Sequence, residues 1–598
     1  MLTRALSLLL LMAAPLAAQQ SLFLHQPDPK SLTKVEANAL FSHPAPGGFL
    51  PVRITVNNAG DQDGNIDIRC VANDGSSGGQ GSEVTSSFKL GAPAGKLTRH
   101  DILIPCSTLL NFGYGDGSVQ VSLAMSGSFG SNSGNLSARY GDTQPAVLLS
   151  EALFTPNGSM LDAEIASKSG SRGGANFAAK FDPHEMPDDW RAYSGFDGLA
   201  LTDSDWTTLS PGARTAILRW NRLGGRLVIL AVSTNSDLAT LGISDLAAGE
   251  RSAIRSFGNV SIEPINNKLT LDKDGVEALV DRFTNKDNLP ALNTSIRSDF
   301  SSAWPLQGLF DPKSYNYGLF IVILIAFGIL VGPVNLFVFA KSGRRHRLFI
   351  TTPLIALGTS VLLIGLIILI DGFGGRGIRV TLMEVRPDDG ENAAYVYQEQ
   401  VSRTGVLLGA GFTVAEPAAI TPVPLSSGSQ WSRLTDDNNG GGMRYEANLR
   451  DGKLEVEGDW FQSRSEQGQF VRAIVPGRGR IELRNADGPP SMISTFDFPI
   501  ERIYYVDAAG GYWCGENIER GKAFNCREAQ QAEVADFVKD ASAKLSARTR
   551  KALKSLDPLE RGSRHFIAVT DKAPGIATFE GIKWTSSTTY ITGPVVAP

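Results

Sequence analysis

Two continuous apolar runs divide a chain that is otherwise patterned in short alternating stretches. Tyr317–Ala340 and Leu348–Ile370 each hold 20 or more residues without a formal charge. At roughly 1.5 Å of rise per residue, either run as a helix spans a hydrocarbon core of about 30 Å. Between them lies KSGRRHR, in which Lys341, Arg344, Arg345 and Arg347 meet no acid. Short basic loops stay on the cytoplasmic side, so the pattern predicts a membrane hairpin: helix 317–340, cytoplasmic turn 341–347, helix 348–370. Both large flanking parts are then expected on the opposite face. The basic turn reads either as enforcing this topology alone or as also holding anionic lipid. Within the first run, Gly332-Pro333-Val334-Asn335 removes a backbone hydrogen bond and places an amide in hydrocarbon, where it needs a partner. Gly332, Pro333 and Asn335 therefore mark a membrane kink, read either as a ligand-bearing feature or as a helix–helix packing notch.

Ahead of the hairpin, Arg4, the apolar run Ala5–Ala14 and the small residues Ala17 and Ala18 read as a secretory signal over 1–18. Gln26–Lys30 reads as a short linker. Alternation then sets in: Val52, Ile54 and Val56 point one way, Arg53, Thr55 and Asn57 the other. Similar runs at Ile66–Cys70, Asp101–Ile104 and Val119–Leu123, separated by Gly/Asn/Ser turns, predict an immunoglobulin-like β-sandwich over 31–144.

From Pro145 the signals become α/β. Ala146–Leu149 and Gly198–Leu201 are short buried-strand runs. Ser210 is placed to cap a helix with Pro211 at its first position. Ala213, Ile217 and Trp220 give that helix one apolar face, Gly224-Gly225 ends it, and RLVILAV follows as a buried strand. Asn259–Ile265 and Asp274–Phe283 extend the series, which predicts a flavodoxin-like domain over 145–300 with an open parallel sheet. A linker, 301–316, leads to the hairpin. After it, 376–598 returns to strand patterns, with Arg527–Leu553 as a helix covering a mostly-β domain. The expected fold class is thus a multidomain membrane protein with three exported domains.

Among 598 residues, 56 basic and 61 acidic side chains give a net charge of −5, too even to point to nucleic acid as a partner. Four cysteines fall into two local pairs, Cys70 with Cys106 and Cys514 with Cys526, one on each side of the hairpin. Two disulfides in an oxidising compartment are the expectation. Closing the first loop would stabilise the sandwich by about 3 kcal/mol.

The segment 197–232 (DGLALTDSDWTTLSPGARTAILRWNRLGGRLVILAV), followed by GPVN and its basic turn, resembles a group of bacterial envelope membrane proteins. These carry a degenerate class I glutamine amidotransferase-like domain of flavodoxin type and a two-helix membrane hairpin. The matching positions are Leu209, Ser210, Trp220, Gly224, Gly225, Gly332, Pro333 and Asn335. The resemblance covers roughly 146–375, with looser similarity around Pro499–Cys514. It implies a place in the inner membrane and a multiprotein setting among other envelope proteins, including systems with AAA-type ATPases and von Willebrand A-like domains.

True amidotransferases of this class set a cysteine nucleophile on a tight strand-to-helix elbow. Here the strand Leu227–Val232 runs into Ser233-Thr234-Asn235, and no cysteine lies between Cys106 and Cys514. The leading expectation is a non-catalytic protein, without cofactor, that acts in scaffolding or ligand recognition. A periplasmic hydrolase using Ser233, or a metal near His184 in DPHE with Asp188 and Asp189 close by, is the first alternative. A module binding cell-wall carbohydrate or peptide is the second. Asp61, Asp63, Asn65 and Asp67 suit a hairpin turn better than a calcium loop. If the α/β domain holds a small ligand, the carboxyl edge of its sheet is the place, where Ser150, Glu151, Asp203, Ser204 and Ser233 follow their strands.

Overall fold

The computed structural model describes residues 20–74, 82–108, 116–141, 143–169, 176–233, 235–243, 249–285, 289–309, 317–387, 392–425, 442–477, 479–485, 488–561 and 564–597. The expected signal segment and the second half of the expected linker lie outside them.

Eight strands come first: β1 (Gln20–His25), β2 (Lys34–Ala39), β3 (Phe49–Asn58), β4 (Gly64–Asn73), β5 (Glu83–Ala92), β6 (Lys96–Pro105), β7 (Asp116–Gly127) and β8 (Asn132–Gly141). One sheet runs β1-β2-β3-β6, and a second contains β5-β4-β7-β8. Val52, Ile54, Val56, Ile66, Ile68, Val119, Val121 and Leu123 are all buried between or beside them, as period-two alternation requires. Among the described residues the sandwich already includes β1 from Gln20, and 26–33 is a loop inside it joining β1 to β2, so it starts before the expected 31.

The next six strands are β9 (Val147–Ser150), β10 (Ala179–Phe181), β11 (Gly198–Thr202), β12 (Arg226–Ala231), β13 (Ser252–Arg255) and β14 (Gly258–Pro264). Five run parallel in the order β10-β9-β11-β12-β14, and β13 closes the edge antiparallel. Every residue of β9, β11 and β12 is buried, because both sheet faces are covered. Val147, Leu149, Ala200, Val228 and Leu230 pack with residues of the helices Glu151–Ser169 and Lys273–Thr284. Leu148, Leu199, Leu201, Leu227 and Ile229 join the other core, with Ala213, Ile217 and Trp220 of the helix Pro211–Arg222. Ser210 Oγ accepts from Ala213 N at 3.0 Å and caps that helix. Gly224, at φ +97°, terminates it in the left-handed region.

Two apolar helices follow, each long and apolar enough to cross a membrane. The first, Tyr317–Ile329, passes into a π-helical stretch, Leu330–Phe339, that contains Pro333. The second is Leu348–Asp371. Their flanks expose Ile321, Val322, Leu324, Phe337, Phe349, Leu357 and Val361.

Beyond the hairpin come β15 (Gly375–Arg386), β16 (Ala393–Thr404), β17 (Phe412–Val414), β18 (Ala418–Val423), β19 (Arg444–Arg450), β20 (Lys453–Gly458), β21 (Glu466–Pro476), β22 (Ile481–Asn485), β23 (Ser491–Ser494), β24 (Ile500–Val506), β25 (Tyr512–Ile518), β26 (Ala523–Asn525), β27 (Arg527–Glu528), β28 (His565–Thr570) and β29 (Ile582–Val596). Most form one large sheet along β18-β21-β16-β15-β29-β28-β24-β25-β27. The helix expected over 527–553 is two, Gln531–Ser542 and Ala547–Ser555, because Ser546 breaks the run by capping the second.

Three strands leave this sheet. β17, β20 and β19 pair with one another, and β19 joins β5 in parallel, Arg444 to Glu83, Tyr445 to Val84 and Glu446 to Thr85. The N-terminal sandwich is therefore completed by strands from beyond the hairpin. Residues from all three regions outside the two apolar helices also share one continuous core. The expected linker is part of that body as well, since Trp304 and Leu306 are buried.

Candidate functional site

The carboxyl edge of the parallel sheet gathers the expected residues because β9, β11 and β12 are neighbours. Ser150 ends β9 fully buried, and its Oγ has no hydrogen-bond partner. Glu151 opens the following helix and lies 3.9 Å from Lys180 Nζ of the adjacent β10 end. After β11, Thr202 and Asp205 form a reciprocal capping box. Asp203 Oδ2 accepts from Ser236 Oγ at 3.4 Å, which ties this edge to the loop after β12. Ser204 is exposed, its N donating to Asp203 Oδ1 at 3.0 Å. Ser233 is exposed too, its Oγ accepting from Asn235 N at 3.3 Å. The edge is polar, with Asp205 engaged in capping, Glu151 in an ion pair and Asp203 in hydrogen bonds.

The carboxylates around His184 do not converge on it. His184 is exposed and pairs through Nδ1 with Asp182 Oδ1 at 3.0 Å. Glu185 pairs with Arg53 of the sandwich. Asp188 Oδ1 accepts from Ser210 Oγ at 3.0 Å, and Asp189 is bound by Arg191. These side chains hold elements together. Among the described residues, no three His, Cys, Asp or Glu side chains form a metal-binding group. Asp63 Oδ1 accepts from Ala94 N at 2.8 Å, which fixes the turn between β3 and β4.

The four cysteines expected to pair, Cys70, Cys106, Cys514 and Cys526, stand as buried free thiols in this structure. Cys106 Sγ donates to Ile104 O at 3.7 Å, and Cys514 Sγ to Gly515 O at 3.9 Å, so each points at local backbone. Burial pushes the Cys70, Cys106 and Cys526 thiols up to about 12, leaving them without thiolate character at neutral pH. Each expected pair is nonetheless close enough to interact, Cys70 with Cys106 and Cys514 with Cys526.

Within the hairpin, Asn335 is fully buried. Its Nδ2 donates to Thr352 Oγ1 at 2.9 Å, and its Oδ1 accepts from Thr351 Oγ1 at 2.6 Å. The Gly332-Pro333-Asn335 interruption is thereby a polar clasp between the two helices, the packing role. Lys341, Arg344, Arg345 and Arg347 are all exposed around the connecting turn.

Sequence reasoning missed the polar joints between the α/β domain and the large sheet. Glu384 is buried beside Arg386 at 3.2 Å. Burial alone raises its carboxyl, yet the charges of Arg386, Arg561 and Arg222 and a hydrogen bond from Ser256 hold it below the usual carboxylate range. Arg222 also lies 5.6 Å over the Tyr395 ring. Tyr397 Oη donates to Leu223 O at 2.7 Å. Glu399, in a strand buried along its whole length, accepts from Trp304 and Ser546. A run of polar residues such as Gln398–Ser402 gives no sequence signal that both of its faces are covered.

A cavity of about 390 Å³ opens at the opposite, amino-terminal edge of the parallel sheet, lined by Gln144, Pro145, Ile165, Arg226, Phe283 and Thr294 among others. Its guanidinium is already engaged, since Arg226 donates to the carbonyls of Phe283 and Leu289.

No family model matches the chain, and no curated protein matches it. Solved structures with partial similarity include the sporulation control protein Spo0M from Bacillus subtilis, 14% identical over 19% of this chain and 49% of that one, with a TM-score of 0.13. A cycloisomaltooligosaccharide glucanotransferase from Paenibacillus sp. is 10% identical over 33% of this chain and 27% of that one, with a TM-score of 0.16. The N-terminal modules of Clostridium thermocellum endo-1,4-beta-D-xylanase 10B are 10% identical over 35% of this chain and 42% of that one, with a TM-score of 0.13. The chain spans less than half the length of each, and likeness at this level defines neither its fold nor its function.

Proposed function

We propose that this chain is a membrane-anchored protein of the bacterial envelope, held in the inner membrane by its two-helix hairpin. Its extramembrane body, outside the cytoplasmic membrane, acts in scaffolding or ligand recognition without catalysis. The single observation that carries the reading is the ladder between Arg444–Glu446 and Glu83–Thr85. These segments lie on opposite sides of the hairpin in sequence, and a hydrogen-bonded ladder does not form across a bilayer. One body on one membrane face fits a hairpin whose basic turn faces the cytoplasm.

The strand order 2-1-3-4-5 of the parallel sheet suits a flavodoxin-type domain, in line with the amidotransferase-like resemblance. The non-catalytic reading is supported by Ser233, which follows β12 with its Oγ turned to Asn235 N, and by His184, which is committed to Asp182. The partners such a body would meet are other envelope proteins, an AAA-type ATPase and von Willebrand A-domain system among them.

Cysteines introduced singly at Leu97, Lys453 and His346 test the topology. In spheroplasts, an impermeant maleimide labels 97 and 453, and labels 346 only after permeabilisation. Labelling of 346 from outside overturns the arrangement. Ester, amide or glycan turnover by the purified full chain that disappears in Ser233→Ala overturns the non-catalytic reading.

A further inference from the structure

The second membrane helix ends at Asp371, and the chain enters β15 at Gly375. The uncharged segment 405–411 (GVLLGAG) is fastened to this exit. Val406 N donates to Gly372 O at 3.0 Å, Gly374 N to Val406 O at 3.1 Å and Gly405 N to Gly374 O at 2.6 Å, and Phe373 forms an isolated parallel bridge with Val406. Behind it, Leu407 N donates to Ser463 Oγ at 2.9 Å and Arg464 N to Gly405 O at 2.8 Å. The strap is thus held on both sides, and its next residue projects outward. Leu408 is 92% exposed, more than Phe349 (86%) or Leu369 (84%) on the apolar helices themselves, and Phe373 is 65% exposed.

A lone exposed leucine on a protein surface needs no explanation. This one sits on an uncharged strap bonded to the residues that leave the apolar helix, beside an exposed phenylalanine. The first rungs of the sheet above it add exposed cations: Arg376 pairs in register with Lys583. Trp584 on the same strand lies half-buried under Arg379, 5.4 Å from its guanidinium carbon. Apolar tips below, an aromatic ring and basic side chains above, is the order of chemistries met on leaving a bilayer through its headgroups.

We propose that the 405–411 strap, with Leu408 and Phe373 as its apolar tips, docks into the bilayer surface around the hairpin, with Arg376 and Lys583 over anionic headgroups. The body is then seated on the membrane and does not swing from its two helices. The inference rests on the membrane reading above and adds a second contact to it.

The test uses the full chain in vesicles of phosphatidylcholine with one-third phosphatidylglycerol. Nitroxide labels go singly on Leu408→Cys, Leu362→Cys in the second helix and Leu32→Cys in the loop before β2; the four native cysteines are buried. Collision with oxygen and with a water-soluble nickel chelate reports depth. The label at 408 is expected to favour oxygen over nickel at least threefold relative to the label at 32, in the direction of the label at 362. A nickel-accessible 408 beside a lipid-embedded 362 overturns the docking and leaves the hairpin standing. Nickel-accessible labels at both 408 and 362 overturn the membrane reading and the docking with it.

Discussion

Trp304 Nε1 donates to Glu399 Oε2 at 2.8 Å, joining residues 95 apart in sequence with the hairpin between them. Ser546 completes the site, donating from Oγ to Oε1 at 2.5 Å and from N to Oε2 at 3.2 Å. One buried carboxyl therefore ties together the segment before the first apolar helix, the sheet after the second and the C-terminal helices. Burial raises the Glu399 carboxyl, and the hydrogen bonds of Ser546, Thr549 and Trp304 oppose that rise. Trp304→Phe leaves an acceptor unsatisfied and should lower stability by about 1–3 kcal/mol. With the folded value raised, the stability Glu399 contributes is fully present below its ordinary value and is lost as pH rises through the folded one. Removing a donor raises the folded value further, so chemical denaturation in detergent should find a larger loss at pH 8 than at pH 5.

Glu384 faces three guanidinium groups, those of Arg386, Arg561 and Arg222, at the joint between the α/β domain and the large sheet. Glu384→Gln leaves these charges buried without their counter-ion and should cost about 3–5 kcal/mol. Because the folded carboxyl is held low, its contribution is present above the ordinary value and lost as pH falls through the folded one. Melting curves of wild type should fall in acid, and those of Glu384→Gln should start lower and fall less.

His43 sits between the sandwich and the α/β domain, its Nε2 accepting from Asn176 Nδ2 at 2.9 Å and its Nδ1 meeting Ser42 Oγ at 2.9 Å. Burial, and then the charge of Lys180, hold it below the ordinary histidine value. The neutral ring is the folded form, and its contribution is lost as pH falls from 6.5 through the folded value. Melting temperature should drop between pH 7 and pH 5.5 in wild type, with a shallower drop in His43→Gln.

Asn335 makes a polar contact between the two apolar helices, through Thr351 and Thr352. Asn335→Leu removes both bonds and should destabilise the helix pair by about 1 kcal/mol, given the modest value of interhelical hydrogen bonds in lipid. Steric-trap or detergent-unfolding measurements on the hairpin should detect the loss, and Thr352→Val, which deletes one of the two bonds, should reproduce part of it.

Local pattern was enough for much of the fold. The Ser210–Pro211 cap, the Trp220 face, the Gly224 stop and the strand at Arg226 all stand where short-range rules put them, since capping and periodicity depend on neighbours only. The helix Glu151–Ser169 escaped that reading because Pro156, Asn157 and Gly158 interrupt it. Its place is secured from elsewhere: Asn157 bonds Leu269 O and receives Leu271 N. Cysteine spacing suggested bridges, whereas the Cys106 and Cys514 thiols meet backbone carbonyls close by in the chain.

By itself, the sequence determined the two apolar helices and their basic turn, the parallel α/β unit and the strand-rich ends, because length, charge and hydrophobic period are properties of contiguous residues. Only the tertiary structure decided that the ends are one body. The pairing of Arg444 with Glu83, the burial of Glu399 against Trp304 and the arginine cluster around Glu384 join residues far apart in the chain. Such contacts are fixed by which surfaces pack together, and a single strand's pattern does not say which partner will cover its second face.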